Sequence, residues 1–106
     1  MHVDPRSVLP PLTAYQVMRV GIVPMVPYFR PGDPALAAAV GALAKDHRAV
    51  LLANHGPVVS GKSLDAAVES AEELEQTAKL VLLLGARPVS ALDAAQIADL
   101  ETTFPS

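Results

Sequence analysis

The 106 residues include no cysteine and no tryptophan. Without cysteine there is no disulfide framework and no thiolate metal site. No apolar run approaches the ~20 residues a membrane-spanning helix needs. The longest in the C-terminal half, "LVLLLGA", is broken at Gly85. The N-terminal "MHVDPRSVLPP" has neither the basic start nor the apolar centre of a signal peptide. These absences make a cytoplasmic protein with no membrane partner the expectation. Charge is scarce as well. Charged residues are 18% with a net charge of −3 and no lysine/arginine cluster, which argues against a nucleic-acid partner. About a quarter of a globular domain's residues are ordinarily charged. Here 51% are apolar and mean hydropathy is +0.34, so apolar surface is left over for burial against a partner chain.

What is present divides into seven short elements. "LPPLTAYQVMRVG" opens with a Pro-Pro pair, and Thr13 and Gly21 bracket a short helix. "IVPMVPY" has strand composition, but Pro24 and Pro27 cannot donate to a ladder, so it belongs at an edge. In "RPGDP", Asp33 caps a helix and Pro34 fits its first position. The Ala-rich "ALAAAVGALAKD" follows. Ala49–Ala53 shows no alternation and reads as a strand buried on both faces, with a second strand at Pro57–Val59. Ser63 caps the longest helix, residues 64–84, whose expected buried stripe is Leu64, Val68, Ala71, Leu74, Ala78 and Leu82. Ser90 starts a last short helix, and the tail "TFPS" is expected to fray. The pattern is α/β, but its strands are too few for a self-sufficient sheet.

The chemical candidates are few. His55 follows a buried strand and precedes a glycine, in "NHG". It admits two readings, an incidental turn residue or a metal ligand aimed along a sheet end. His47, at a helix end in "KDHRA", reads as structural or solvated. His2 lies in a loose N-terminus. Tyr15 is either a half-buried tyrosine with a wet hydroxyl or a general acid. Glu69, Glu72, Glu73 and Glu75 read as the solvated face of the long helix. "SGKS" around Lys62 lacks the first glycine of a phosphate loop.

In their order and spacing, "LPPLTAY", "PYFRPGDP", "LLANHGPVVSGKSL" and "RPVSALDAAQIADL" resemble the C-terminal half of the class II aldolase/adducin family. The nearest resemblance is to its 3-oxo-tetronate 4-phosphate decarboxylase branch, and it covers about Val3–Phe104. The resemblance implies an α/β/α sandwich-like fold, a mainly antiparallel sheet flanked by helices, assembled as a homo-oligomer of four. It implies a divalent metal, typically zinc, held by a His-x-His pair and a later histidine in the "NHG" turn, which His55 matches. It also implies a tyrosine acid reaching a neighbouring subunit's site, for which Tyr15 stands at the corresponding place.

The same resemblance implies what this chain lacks. The His-x-His pair, the phosphate loops and the acidic base belong upstream of "LPPLT". Residues 1–106 are therefore expected to be a single partial domain, the C-terminal half, inactive alone. Complete, such a protein would be a metal-dependent carbon–carbon lyase, decarboxylating a phosphorylated 3-oxo four-carbon sugar acid. The metal would polarise the substrate ketone and stabilise the enediolate as its charge develops. The alternatives are a class II sugar-phosphate aldolase or epimerase, and a non-catalytic adducin-like assembly module.

Overall fold

The computed structural model describes residues 7–105. The first helix, α1, spans Ala14–Arg19, and the Thr13 hydroxyl caps it by accepting from the Gln16 amide at 3.1 Å. Six residues are too few for a helix to hold itself. The buried Gln16 side chain supplies part of the support, donating to the Pro10 carbonyl at 2.7 Å and accepting from the Leu12 amide at 2.9 Å. The other end is closed from two sides. Arg48 donates to the Val17 and Met18 carbonyls, and the Ser70 hydroxyl donates to the Arg19 carbonyl at 2.9 Å. These are carbonyls a helix end leaves without intrahelical partners.

Strand β1 (Met25–Val26) lies at the edge of a three-stranded sheet, order β1-β2-β3. It runs parallel to β2 (Ala49–Leu52), which pairs antiparallel with β3 (Gly56–Val59). The flanking prolines donate nothing, but the Pro24 carbonyl accepts from Leu51 at 2.9 Å. Helix α2 (Pro34–Ala44) starts at the Asp33 cap with proline in its first turn.

Both faces of β2 are covered, which is why its sequence does not alternate. Val50 and Leu52 pack with Val26 against Phe29, Leu36, Val40 and Leu43 on the α2 side. Ala49 packs with Val20, Val23 and Leu74 on the other side, joined by Leu51 and Val59. The layers are thus α2, then the sheet, then α1 with α3 (Leu64–Leu84), an α/β/α arrangement. The longer strand pairing is antiparallel and the shorter one parallel.

Two helix expectations are corrected. The fully buried residues of α3 are Ser70, Leu74 and Thr77. Of the expected stripe only Leu74 is among them, while Leu64, Val68 and Leu82 are 80%, 47% and 82% exposed. The packing of α1 and β3 selects a face centred roughly 120° around the helix from those three, at ~100° per residue. The last helix, α4 (Ala94–Thr103), starts at Asp93 rather than Ser90. Asp93 and Gln96 form a reciprocal capping box, at 2.8 and 3.0 Å. The Leu92 amide is meanwhile taken by the Pro11 carbonyl at 2.9 Å, holding that link extended. Thr102 and Thr103 are helical and Phe104 caps α4, so the "TFPS" tail is ordered helix at its start.

Candidate functional site

His55 sits at the tip of the β2–β3 hairpin. The ladder closes at Leu52 and Gly56, leaving Ala53, Asn54 and His55 to reverse the chain. Asn54 takes the left-handed conformation at φ 60°, which asparagine tolerates better than most side chains. The His55 amide donates to the Leu52 carbonyl at 3.1 Å, and the residue is exposed. A rigid hairpin therefore presents an imidazole beyond the end of the sheet.

The parallel pairing brings a second group to that end. Val26 is in register with Leu52, and the Ala53 amide donates to the Val26 carbonyl at 3.0 Å. The chain leaving β1 as Pro27–Tyr28–Phe29 thus exits beside the hairpin tip. Tyr28 is 62% exposed. Sequence reasoning placed no function on it. The signal would have been the β1–β2 pairing, which crosses from one end of α2 to the other and is invisible in a linear string.

Tyr15 is placed elsewhere. It is 58% exposed on α1, with the Arg19 guanidinium 4.9 Å from its ring centroid. The main packing of α1 is with α3 and α4, not with the hairpin. Within one chain, the fold does not bring Tyr15 to His55.

His47 precedes β2 and His55 follows it, so the strand separates them by roughly 15–20 Å at ~3.3 Å per residue. The His47 Nδ1 donates to the Leu43 carbonyl at 2.9 Å, tying off the end of α2. His2 lies outside the described residues. Among the described residues no three His, Cys, Asp or Glu side chains converge as a metal site. At the hairpin end they supply one imidazole, that of His55, and one donor does not hold a catalytic ion.

The other motifs have structural work. Glu69, Glu72 and Glu75 are exposed on α3, as a solvated face requires, and Glu73 is half-buried. In "SGKS", Ser63 caps α3 by accepting from the Ala66 amide at 3.1 Å. A Cβ on Gly61 would stand 2.7 Å from the Ala67 nitrogen, so the β3–α3 link needs glycine to approach the helix. Gly61→Ala is expected to lower unfolding free energy by about 1–3 kcal/mol, read from the urea midpoint at unchanged slope. Arg48, also missed from sequence, is half-buried where it closes α1. Burial holds its guanidinium below the ordinary arginine pKa, and the Glu101 carboxylate partly offsets this. A cleft of about 300 Å³ opens between the Ser7–Pro11 segment, α1 and α4, with Gln16 and Glu101 among its lining. Both polar atoms of the Gln16 amide there hydrogen-bond the backbone that leads into α1.

Comparison with known proteins adds to this geometry. The family profile described as the class II aldolase and adducin N-terminal domain matches residues 3–82. The 3-oxo-tetronate 4-phosphate decarboxylase of Escherichia coli K12 is 54% identical over 99 residues, 93% of this chain and 47% of that protein. An L-fuculose phosphate aldolase of Haemophilus influenzae is 40% identical over 62 residues, 58% of this chain and 29% of that protein. The crystal structure of YgbL from Escherichia coli superimposes with a TM-score of 0.86 at 53% identity, covering 94% of this chain and 48% of that one. The description of YgbL leaves aldolase, epimerase and decarboxylase open. The chain spans about half the length of the curated decarboxylases it matches.

Proposed function

The chain belongs to the class II aldolase and adducin family, and from that premise we propose that it is part of a carbon–carbon lyase that decarboxylates a phosphorylated 3-oxo four-carbon sugar acid. The observation that carries the reading is 54% identity to decarboxylases of that name across nearly the whole chain. The matched aldolase is less similar and shares a shorter segment. We propose further that residues 1–106 form one half of the catalytic domain, the C-terminal half, and that the complete enzyme is a homo-oligomer, a tetramer.

In this reading His55 is one ligand of a divalent ion, zinc by family resemblance. The remaining ligands come from outside the described residues. Such an ion would supply Lewis-acid chemistry for the substrate ketone. The chain's own contribution is positional. The ladder from Ala49 to Val59 and the left-handed Asn54 fix the imidazole. A phenol returns the proton after carbon dioxide has left. Tyr15 serves if it reaches a neighbouring subunit's site. The strand topology favours Tyr28, which leaves the sheet beside the His55 turn.

The test is carbon dioxide release from 3-oxo-tetronate 4-phosphate by the native assembly containing this chain. Release that EDTA abolishes and zinc restores is the expected result. Cleavage of a sugar phosphate into two carbonyl fragments would make it an aldolase instead. An assembly that binds no divalent metal and turns over neither substrate would make it a structural module of the adducin type.

A further inference from the structure

The chain that leaves β1 at the His55 end of the sheet is held from both sides at Arg30. Behind it, Phe29 packs into the core between the sheet and α2. Ahead of it, Arg30–Pro31–Gly32–Asp33 close a turn in which the Asp33 amide donates to the Arg30 carbonyl at 3.1 Å. Proline in its second position and Gly32 at φ 84° in its third make it a type II turn, which needs glycine there. Pro31 also disfavours helical backbone in the residue before it, so Arg30 is kept extended. Asp33, the nearest acid in sequence, is engaged elsewhere: its carboxylate caps α2 by accepting from the Ala35 amide at 2.9 Å. Neighbours in an extended chain point to opposite sides. With Phe29 turned inward, Tyr28 and Arg30 face outward together, and both are exposed.

One sheet end therefore carries three different chemistries. The hairpin presents the His55 imidazole, and the β1 exit beside it presents the Tyr28 phenol and the Arg30 guanidinium. A guanidinium is a planar fork of donors that matches the paired oxygens of a carboxylate or a phosphate. The proposed substrate, a phosphorylated sugar acid, carries one of each, and neither an imidazole spent on a metal nor a phenol spent on a proton holds them. A backbone already fixed by Phe29 and by the type II turn lowers the ordering cost of holding a ligand. We infer that Arg30 binds one of the two substrate oxyanions and so selects acidic, phosphorylated substrates. The inference rests on the proposed function for the substrate and for the placing of its site at the His55 end.

The experiment places Arg30→Gln in the native assembly and follows carbon dioxide release from 3-oxo-tetronate 4-phosphate. KM is expected to rise roughly 10–100-fold, the worth of a hydrogen bond to a charged group. Turnover at saturation should stay near the parent's, the signature of lost binding rather than lost chemistry. Arg30→Lys should recover part of the loss, and Lys79→Gln, which removes an exposed cation of α3, should leave KM alone. A second arm titrates the assembly calorimetrically with inorganic phosphate and with acetoacetate, a 3-oxo acid without phosphate. Arg30→Gln is expected to weaken one probe at least tenfold and spare the other, and the weakened probe names the oxyanion. An unchanged KM overturns the inference, as does a fall in turnover and thermal midpoint at unchanged KM, which would make Arg30 a structural residue. Equal weakening of both probes overturns it too, since that is attraction at a distance and not a seat. If the parent releases no carbon dioxide, the proposed reaction falls, and the titrations still decide: selective loss of one probe keeps Arg30 as an anion residue, and a parent that binds neither probe ends that reading as well.

Discussion

Replacing His55 with alanine in the active assembly should lower carbon dioxide release by about 10³-fold or more and remove bound divalent metal with it. A metal acting as Lewis acid contributes several kcal/mol to transition-state stabilisation, and each ~1.4 kcal/mol is tenfold in rate. The fold should be indifferent to the change. The His55 side chain is exposed, and the turn depends on its backbone amide and on Asn54, both of which alanine preserves. Substitutions at such surface positions ordinarily move stability by no more than about 0.5 kcal/mol. Metal content by elemental analysis and the thermal midpoint therefore separate loss of a ligand from loss of structure. His47→Ala supplies the contrast. It deletes a hydrogen bond to the Leu43 carbonyl, worth about 1 kcal/mol, and should leave metal and turnover in place. If the His55 variant keeps both its metal and its rate, the imidazole is an incidental turn residue and the metal assignment falls.

The two histidines also show what a linear reading captures. Capping and turn chemistry is local, so Thr13, Asp33 and Ser63 could be placed at helix starts from their own neighbours, and the structure has them there. The unalternating Ala49–Ala53 run implied cover on two faces, and the layers on either side of β2 supply it. Ser90 was displaced because Asp93 offers a reciprocal partner in Gln96, a pair interaction that single-residue preference does not weigh. The α3 stripe misled for a different reason. Its periodicity marks a face that could be buried, and α1 and β3 pack on a different one, around Ser70, Leu74 and Thr77. Residues acting over long separations were out of reach. Arg48 closes α1 from about thirty residues away, and Ser70 from about fifty, and neither has a sequence signature. Tyr28 belongs with these, since its place beside the hairpin follows from a parallel pairing that skips over α2.

That placement makes the two tyrosines separable by experiment. A phenol is protonated near neutral pH and can still donate, and a general acid is worth roughly 10²–10⁴-fold in rate. Whichever tyrosine returns the proton, its phenylalanine variant should lose turnover by about that factor while keeping metal and fold. Tyr28→Phe is expected to show the loss, because the sheet delivers Tyr28 to the end that carries His55. Tyr15 stands on α1 with Arg19 over its ring, away from that hairpin. It can act only across a subunit boundary, and this has its own signature. Mixing a Tyr15→Phe assembly with a His55→Ala assembly and letting subunits exchange would restore activity, since some sites would then combine an intact phenol with an intact imidazole. The same mixing with Tyr28→Phe restores nothing if Tyr28 and His55 serve one site from one chain. Normal turnover in both phenylalanine variants would leave the proton to water or to a residue outside this chain, and both tyrosines would be surface residues.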